Sequence, residues 1–224
     1  MATLADLQQA IDNLLQHPLG PGNYHLVRTV EEKAYEGYLF GLCLRAATRL
    51  GVIPTLVGIS GPPNPFVFRG GPGQIHSTHR NYGYARFTLN GMDFEVHAGV
   101  EFRGTSGMTH ELDVAIMRAD DARKCRLNPD DPPASSVIGV WECKFYDANL
   151  DKHLARAFVG LVDDFGTNVR VKGFCSNQWH DQMNDYFQPQ RRPYPHSRLS
   201  PLDQASEQSF VQTLAAELKK LTGC

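Results

Sequence analysis

Two stretches decide the reading: VIGVWECKFY, residues 137–146, and FRGTSGMTHELDVAIM, residues 102–117. Each contains an apolar, β-branched run of strand length, interrupted by charge where a buried strand ordinarily has none. Side chains at i and i+2 of a strand share a face, so Glu142 and Lys144 point one way while Trp141, Cys143 and Phe145 point the other. Asp113 sits just as oddly between Leu112 and Val114. A carboxylate or ammonium in such a strand is costly unless it is paired or holds a cation. Two carboxylates converging from neighbouring strands make a hard-oxygen site suited to Mg²⁺, which accepts one or two protein carboxylates and completes its shell with water and phosphate oxygens.

Outward from these strands, Asn90-Gly91 separates β-patterned runs at 84–89 and 94–102, the strongest short hairpin signal a sequence carries. A third strand is predicted over 112–117 and a fourth over 137–146, with the polar, Pro-rich residues 120–136 between them as a loop. A helical period over 150–165 and a fifth strand over 169–175 follow. Upstream, the best helix runs over 30–50, ends at Gly51 and is followed by Pro54. A Gly/Pro-rich loop holds a short β-like piece at 66–69, and amphipathic helices are predicted near both termini, over 4–16 and 207–221. No internal repeat is visible. The order implies an α/β chain, a mixed sheet with helices on it, folded as a single domain over 1–224. Residues 1–29 are its N-terminal helical extension and 176–224 its C-terminal loop and helix.

Composition narrows the function classes. Two hundred and twenty-four residues with 42% hydrophobic and 21% charged side chains exclude a disordered, collagenous or coiled-coil chain. Twenty-two Lys and Arg against 24 Asp and Glu give a formal charge of -2, so no global positive field draws the protein to a polyanion or a membrane. Any polyanion must meet a local patch. Five widely spaced cysteines without a C-x-x-C pair fit buried thiols in a reducing compartment. The N-terminus lacks a basic segment followed by an apolar run, and residues 38–50 are too short and too charged to span a bilayer, so a cytoplasmic location is expected.

Asp113, with Glu142-Cys143-Lys144 on the next strand, resembles the PD-(D/E)xK nuclease superfamily, in which an acidic residue on one strand precedes [D/E]-x-K on another. The segment 102–117 is similar to one common in restriction-type members, where S-G-x-x-H-[E/Q]-[I/L]-D-V introduces the metal-binding Asp, and YEGYLFGLCLRAATRLG resembles the first core helix, with an acidic residue at Glu36. The resemblance covers roughly 30–175; the proline of the superfamily's name is absent, and His153 or Arg156 stands nearest the position of a helix glutamine found in some members. It implies a restriction-endonuclease-like mixed sheet, an αβββαβ core flanked by helices. It also implies a Mg²⁺-dependent deoxyribonuclease, with Mn²⁺ able to substitute, acting in restriction, defence or repair. DNA is favoured over RNA as the nucleic-acid partner. In that reading Asp113, Glu142 and the backbone carbonyl of Cys143 hold the metal, Lys144 orients the attacking water, and Glu36 reaches the ion through water. The alternative is a nuclease-fold binding or interaction module without turnover.

Blander readings stand beside several residues. Glu31, Glu32 and Glu36 lie on one helix, and a solvated face explains them. His110 either touches phosphate or holds Asp113, or is a capping or structural residue. Arg103, Arg118, Arg123, Lys124 and Arg126 offer a phosphate patch or only solvated loops. Tyr82, Tyr84, Trp179 and Tyr186 can stack on bases, with core packing the better reading for most. HELDV lacks the second His of H-E-x-x-H, and Asp164-Phe165-Gly166 reads as a helix end. Duplex cleavage needs two sites, so a homodimer is expected, with the terminal helices' apolar stripes as its seam.

Overall fold

A computed structural model describes residues 1–19, 22–146, 152–167, 169–178, 181–187 and 194–223. Among these the chain runs α1 (Leu4–Leu19), β1 (Tyr24–Leu26), α2 (Glu31–Arg49), β2 (Thr55–Gly58), β3 (Phe66–Phe68), β4 (Gly83–Leu89), β5 (Met92–Arg103) and β6 (Thr109–Arg118). It continues through α3 (Ala119–Leu127), β7 (Val137–Lys144), α4 (Lys152–Asp164), β8 (Val171–Ser176), α5 (Asp181–Phe187), β9 (Tyr194–His196) and α6 (Gln204–Leu221). Seven strands form one mixed, mostly antiparallel sheet in the order β2-β4-β5-β6-β7-β8-β9, and β1 pairs with β3 in a separate parallel ribbon.

The expected hairpin sets the register. Asn90 and Gly91 take φ of 50° and 79°, the left-handed pair that a two-residue turn between twisted strands requires. Leu89 then pairs with Met92, and Ala85 with Val96. β6 and β7 extend the meander antiparallel, after which β8 lies parallel to β7 with α4 in the connection between them. The sheet therefore changes from antiparallel to parallel at β7, the strand that carries Glu142 and Lys144.

Helices cover both faces. On one, α2 lies across β5, β6 and β7 with α1 and α6 packed on it. It is buried without a break from Ala34 to Leu44, so burial runs nearly all round this helix. Gly41 permits this, because a Cβ there would meet Leu14 at 2.8 Å. Trp141, Cys143 and Phe145 project into this core. The other face buries Phe102, Phe158, Phe165, Phe174 and Phe187 beneath α3, α4 and α5.

Three expectations are corrected. Residues 120–136 are not all loop: α3 occupies the first part, with Asp120 and Asp121 in its first turn, Lys124 and Arg126 in its last, and Ala122 and Cys125 buried. Its charges complement the helix dipole, and the same charges disguise it as a polar loop. β1, β2, α5 and β9 have no counterpart among the expected elements, because elements of 3–7 residues carry too few periods to register. The terminal helices are not free to pair. Leu7, Ile11 and Leu15 of α1 and Phe210, Leu214 and Leu218 of α6 are buried in the main core. Tyr38 and Arg45 of α2 also bond to Glu207 of α6 at 2.8 and 2.9 Å. The proposed dimer seam is thus spent within the chain. Four of the cysteines, Cys43, Cys125, Cys143 and Cys175, are free and buried as expected; Cys224 lies outside the described residues. Among the described residues no helix is long and apolar enough to cross a membrane.

Candidate functional site

The site forms where the β6–β7 ladder stops. Pairing ends at Val114↔Trp141, and beyond it the Cys143 N–H donates to the Asp113 carboxylate at 2.7 Å in place of a backbone carbonyl. The side chain thus completes the strand it interrupts, which fixes its orientation. Glu142 and Lys144 follow on the same face as Asp113. Lys144 Nζ lies 2.5 Å from Glu142 Oε1 and 3.8 Å from Asp113 Oδ2, so one ammonium spans both carboxylates. The i, i+2 reading of the two strands therefore holds, and Asp113, Glu142 and Lys144 stand together.

Glu36 joins from α2. Its neighbours Glu31 and Glu32 are exposed, but Glu36 is only 6% exposed, so the solvated-face reading accounts for them and fails for Glu36. Lys33, one helical turn earlier, donates to Glu36 at 2.7 Å and approaches Glu111 Oε1 at 3.5 Å. That second contact is an ion pair too long to satisfy the oxygen, and Glu111 Oε1 is buried without a hydrogen-bond partner. Lys33 and Glu111 were missed in the sequence although the signal was present. Glu111 is i−2 from Asp113 on a strand, and Lys33 is i−3 from Glu36 on a helix, spacings that place each pair on one face.

Crowded carboxylates show in the electrostatics. Burial raises the Glu36 carboxyl to about 8, and the neighbouring Asp113 charge pushes the same way, against Lys33. Burial and Asp113 likewise raise Glu142 to about 7, with Lys144 opposing. Glu111 is raised by burial. Burial alone would lower both lysines, but Glu36 outweighs it at Lys33, and Asp113 with Glu142 outweighs it at Lys144, holding both above the ordinary range. With all four carboxylates ionised, the cluster carries two negative charges more than Lys33 and Lys144 balance, and the raised carboxyls record that crowding.

Other candidates fall elsewhere. His110 Nε2 lies 2.6 Å from Asp164 Oδ2, a carboxylate that also accepts from the Ser106 amide, the Ser106 hydroxyl and the Thr105 hydroxyl. His110, in β6, is thus held to the end of α4 by Asp164, which also binds the turn before β6. Asp164 bridges Ser106 and His110, so the three do not form a nucleophile–His–acid relay. Arg103, Arg123 and Lys124 pair with Asp130, Asp120 and Asp121. Arg126 makes two 2.7 Å bonds to buried Glu95. Four of the five basic residues of the expected phosphate patch are thus engaged by carboxylates. Tyr84 is buried and stacked on His97, and Tyr82 lies under Arg69, while Trp179 is outside the described residues. His153 and Arg156 are exposed on α4.

Among the described residues no group of three or more His, Cys, Asp or Glu side chains is arranged to hold a metal ion. An ion at this site would rest on two carboxylates, which Mg²⁺ accepts when water and phosphate oxygens supply the rest. No protein-family model, no curated protein and no solved structure matches this chain.

Proposed function

We propose that the protein is a metal-dependent endonuclease that hydrolyses DNA phosphodiester bonds, with Asp113, Glu142, Lys144 and Glu36 as its working residues, in restriction, defence or repair. The observation that carries the reading is the convergence of Asp113, Glu142 and Lys144 on one side of the sheet, with Glu36 entering from α2. The element order α2, β5–β6–β7, α4, β8, with β8 parallel to β7, supports a restriction-endonuclease-like core.

The donor set fits a hard divalent cation: carboxylate oxygens, no thiolate or imidazole, and a surplus of negative charge. Asp113 and Glu142, with the Cys143 carbonyl, would hold it. Mg²⁺ bound there would acidify a coordinated water and neutralise charge on the scissile phosphate. The chain's own contributions follow from its geometry. The Cys143 N–H keeps the Asp113 carboxylate from rotating. Lys144 holds its ammonium within hydrogen-bond reach of Glu142, placed to turn toward a water or phosphate oxygen once that carboxylate is occupied. Glu36, raised to about 8, stands ready to exchange a proton near neutral pH.

Purified protein incubated with single-stranded, duplex, base-modified and RNA substrates in Mg²⁺ or Mn²⁺ tests the proposal. Metal-dependent cleavage of DNA, abolished by Asp113→Asn or Glu142→Gln, is the expected result. Metal-dependent DNA binding with no cleavage of any substrate would overturn it in favour of a binding module.

A further inference from the structure

The chain has no acidic residue between Glu36 and Asp93; residues 37–92 carry five arginines, Arg45, Arg49, Arg69, Arg80 and Arg86, and so a formal charge of +5 within a protein of net charge -2. This is the basic stretch that the residues after β6 do not supply. Arg45 is taken by Glu207, and Arg49, Arg80 and Arg86 are exposed. Arg69 is different: a buried guanidinium, 8% exposed, that forms no ion pair among the described residues. We propose that Arg69, with Arg80 at the rim of the same loop, binds the phosphodiester backbone of the DNA beside the Asp113 site, holding a phosphate within about three nucleotides of the one that is cut. The inference rests on the nuclease reading and names how its substrate is held.

Arg69 stands next to the site. In the β5–β6 ladder Gly99 lies across from Asp113, flanked by Ala98↔Val114 and Val100↔Leu112. Gly99 has φ of 62°, and a Cβ on it would meet the Arg69 Cβ and the Gly71 carbonyl, each at 3.3 Å. The stem of Arg69 therefore fills the space over the position opposite Asp113. With neighbouring strands about 5 Å apart, that stem is within about 10 Å of the Asp113 backbone, and successive phosphates of one DNA strand rise about 3.4 Å each. The guanidinium lies over the Tyr82 ring, 4.1 Å from its centroid, and Nη2 donates to the Gln74 carbonyl at 3.1 Å. One neutral acceptor thus serves a group with five donors, and Glu101 acts on it only at longer range. Gly73 keeps Nη1 clear, since a Cβ there would lie 2.7 Å from it. Arg126 shows what a satisfied arginine looks like in this fold: it also stacks on a tyrosine, Tyr84, but both of its terminal nitrogens bond to Glu95. Arg69 has the same ring and no carboxylate. A guanidinium fork held in place and left unfilled matches a phosphate, which accepts two parallel N–H bonds, and an acid-free loop around it favours a polyanion.

Fluorescence anisotropy of the full chain with labelled duplexes of two unrelated sequences, in Ca²⁺ and over a range of NaCl concentrations, tests this apart from cleavage. Arg69→Gln should weaken binding about tenfold on both sequences and make the slope of log K against log salt shallower by about one. Arg69→Lys should restore the slope with part of the affinity. Arg123→Gln, which removes a charge already paired with Asp120, should leave both unchanged. A wild-type slope in Arg69→Gln that is folded by circular dichroism would overturn the assignment. So would weaker binding at an unchanged slope that Arg69→Lys fails to recover, the mark of a structural role. Should Arg69→Gln not fold, Arg80→Gln decides: Arg80 is exposed, its loss should make the slope shallower by about one, and an unchanged slope would overturn the proposal. Inorganic phosphate bound by the wild type and lost in Arg69→Gln by ³¹P nuclear magnetic resonance, with DNA binding unaltered, would overturn it in favour of a free-anion site. In each of these cases DNA cleavage by the wild type in Mg²⁺ leaves the nuclease reading standing; no duplex bound and none cut would overturn both.

Discussion

Removing Lys144 tests whether the two strand carboxylates truly share one cation. The pair with Glu142 is neither exposed nor sealed: the side chains of Lys144, Glu142 and Asp113 are 18%, 22% and 13% exposed. An exposed pair contributes about 0–1 kcal/mol, and breaking a fully buried one costs about 3–5. Intermediate exposure places Lys144→Ala near 2 kcal/mol of destabilisation at pH 8, in the absence of metal. The dependence on pH has a definite sign. Glu142 is raised from 4.5 to about 7, so its protonated form is favoured by folding; that stabilisation is complete below 4.5 and lost as pH rises through 7. Without Lys144 the folded value rises further, so the variant's deficit is present at pH 8 and fades as pH approaches 4.5. Urea unfolding followed by tryptophan fluorescence reads this directly: at a slope of about 2–3 kcal/mol/M the midpoint should fall by about 0.7–1 M at pH 8 and hardly at all at pH 5. Millimolar Mg²⁺ should recover most of the loss. An equal loss at both pH values would show that Lys144 acts through its aliphatic stem, and no loss at pH 8 would refute the convergence itself.

Three further outcomes follow. Glu36→Gln should stabilise the metal-free protein at pH 8 by about 2–4 kcal/mol, because the wild-type carboxyl, raised to about 8, costs stability as it ionises; denaturation at pH 5 should show the advantage gone. Phe210→Ala should cost about 3–5 kcal/mol in chemical unfolding, since Phe210 is 1% exposed and packs on Trp141 and His196; a near-neutral effect would mean that α6 is an appendage. Asp164 is held well below its ordinary value, chiefly by the Ser106 hydroxyl and then by His110, so its stabilisation is present above pH 3.8 and lost as pH falls further; Asp164→Asn should weaken the protein at pH 7, and amide exchange should show the loss first at residues 104–108.

The sequence by itself determined strands β3 to β8, the hairpin and three members of the candidate site, because each rests on local rules. A period of two places Glu142 and Lys144 on one face whatever surrounds them, and Asn90-Gly91 has few other places to be than a tight turn. It also determined that Asp113 was misplaced for a core strand, the clue from which the site was built. Only the tertiary structure decided which of three glutamates on one helix enters the candidate site: Glu31, Glu32 and Glu36 are alike in sequence, and burial against β6 singles out the last. It likewise decided that the basic residues after β6 serve Glu95 and their own aspartates, and that the apolar stripes of α1 and α6 are satisfied by α2. Those outcomes depend on partners far away in the chain, such as Glu207 meeting Tyr38 or Asp164 meeting Ser106. A charge or an apolar stripe announces that it needs a partner; which partner it finds is settled by how distant segments pack, and no local period encodes that.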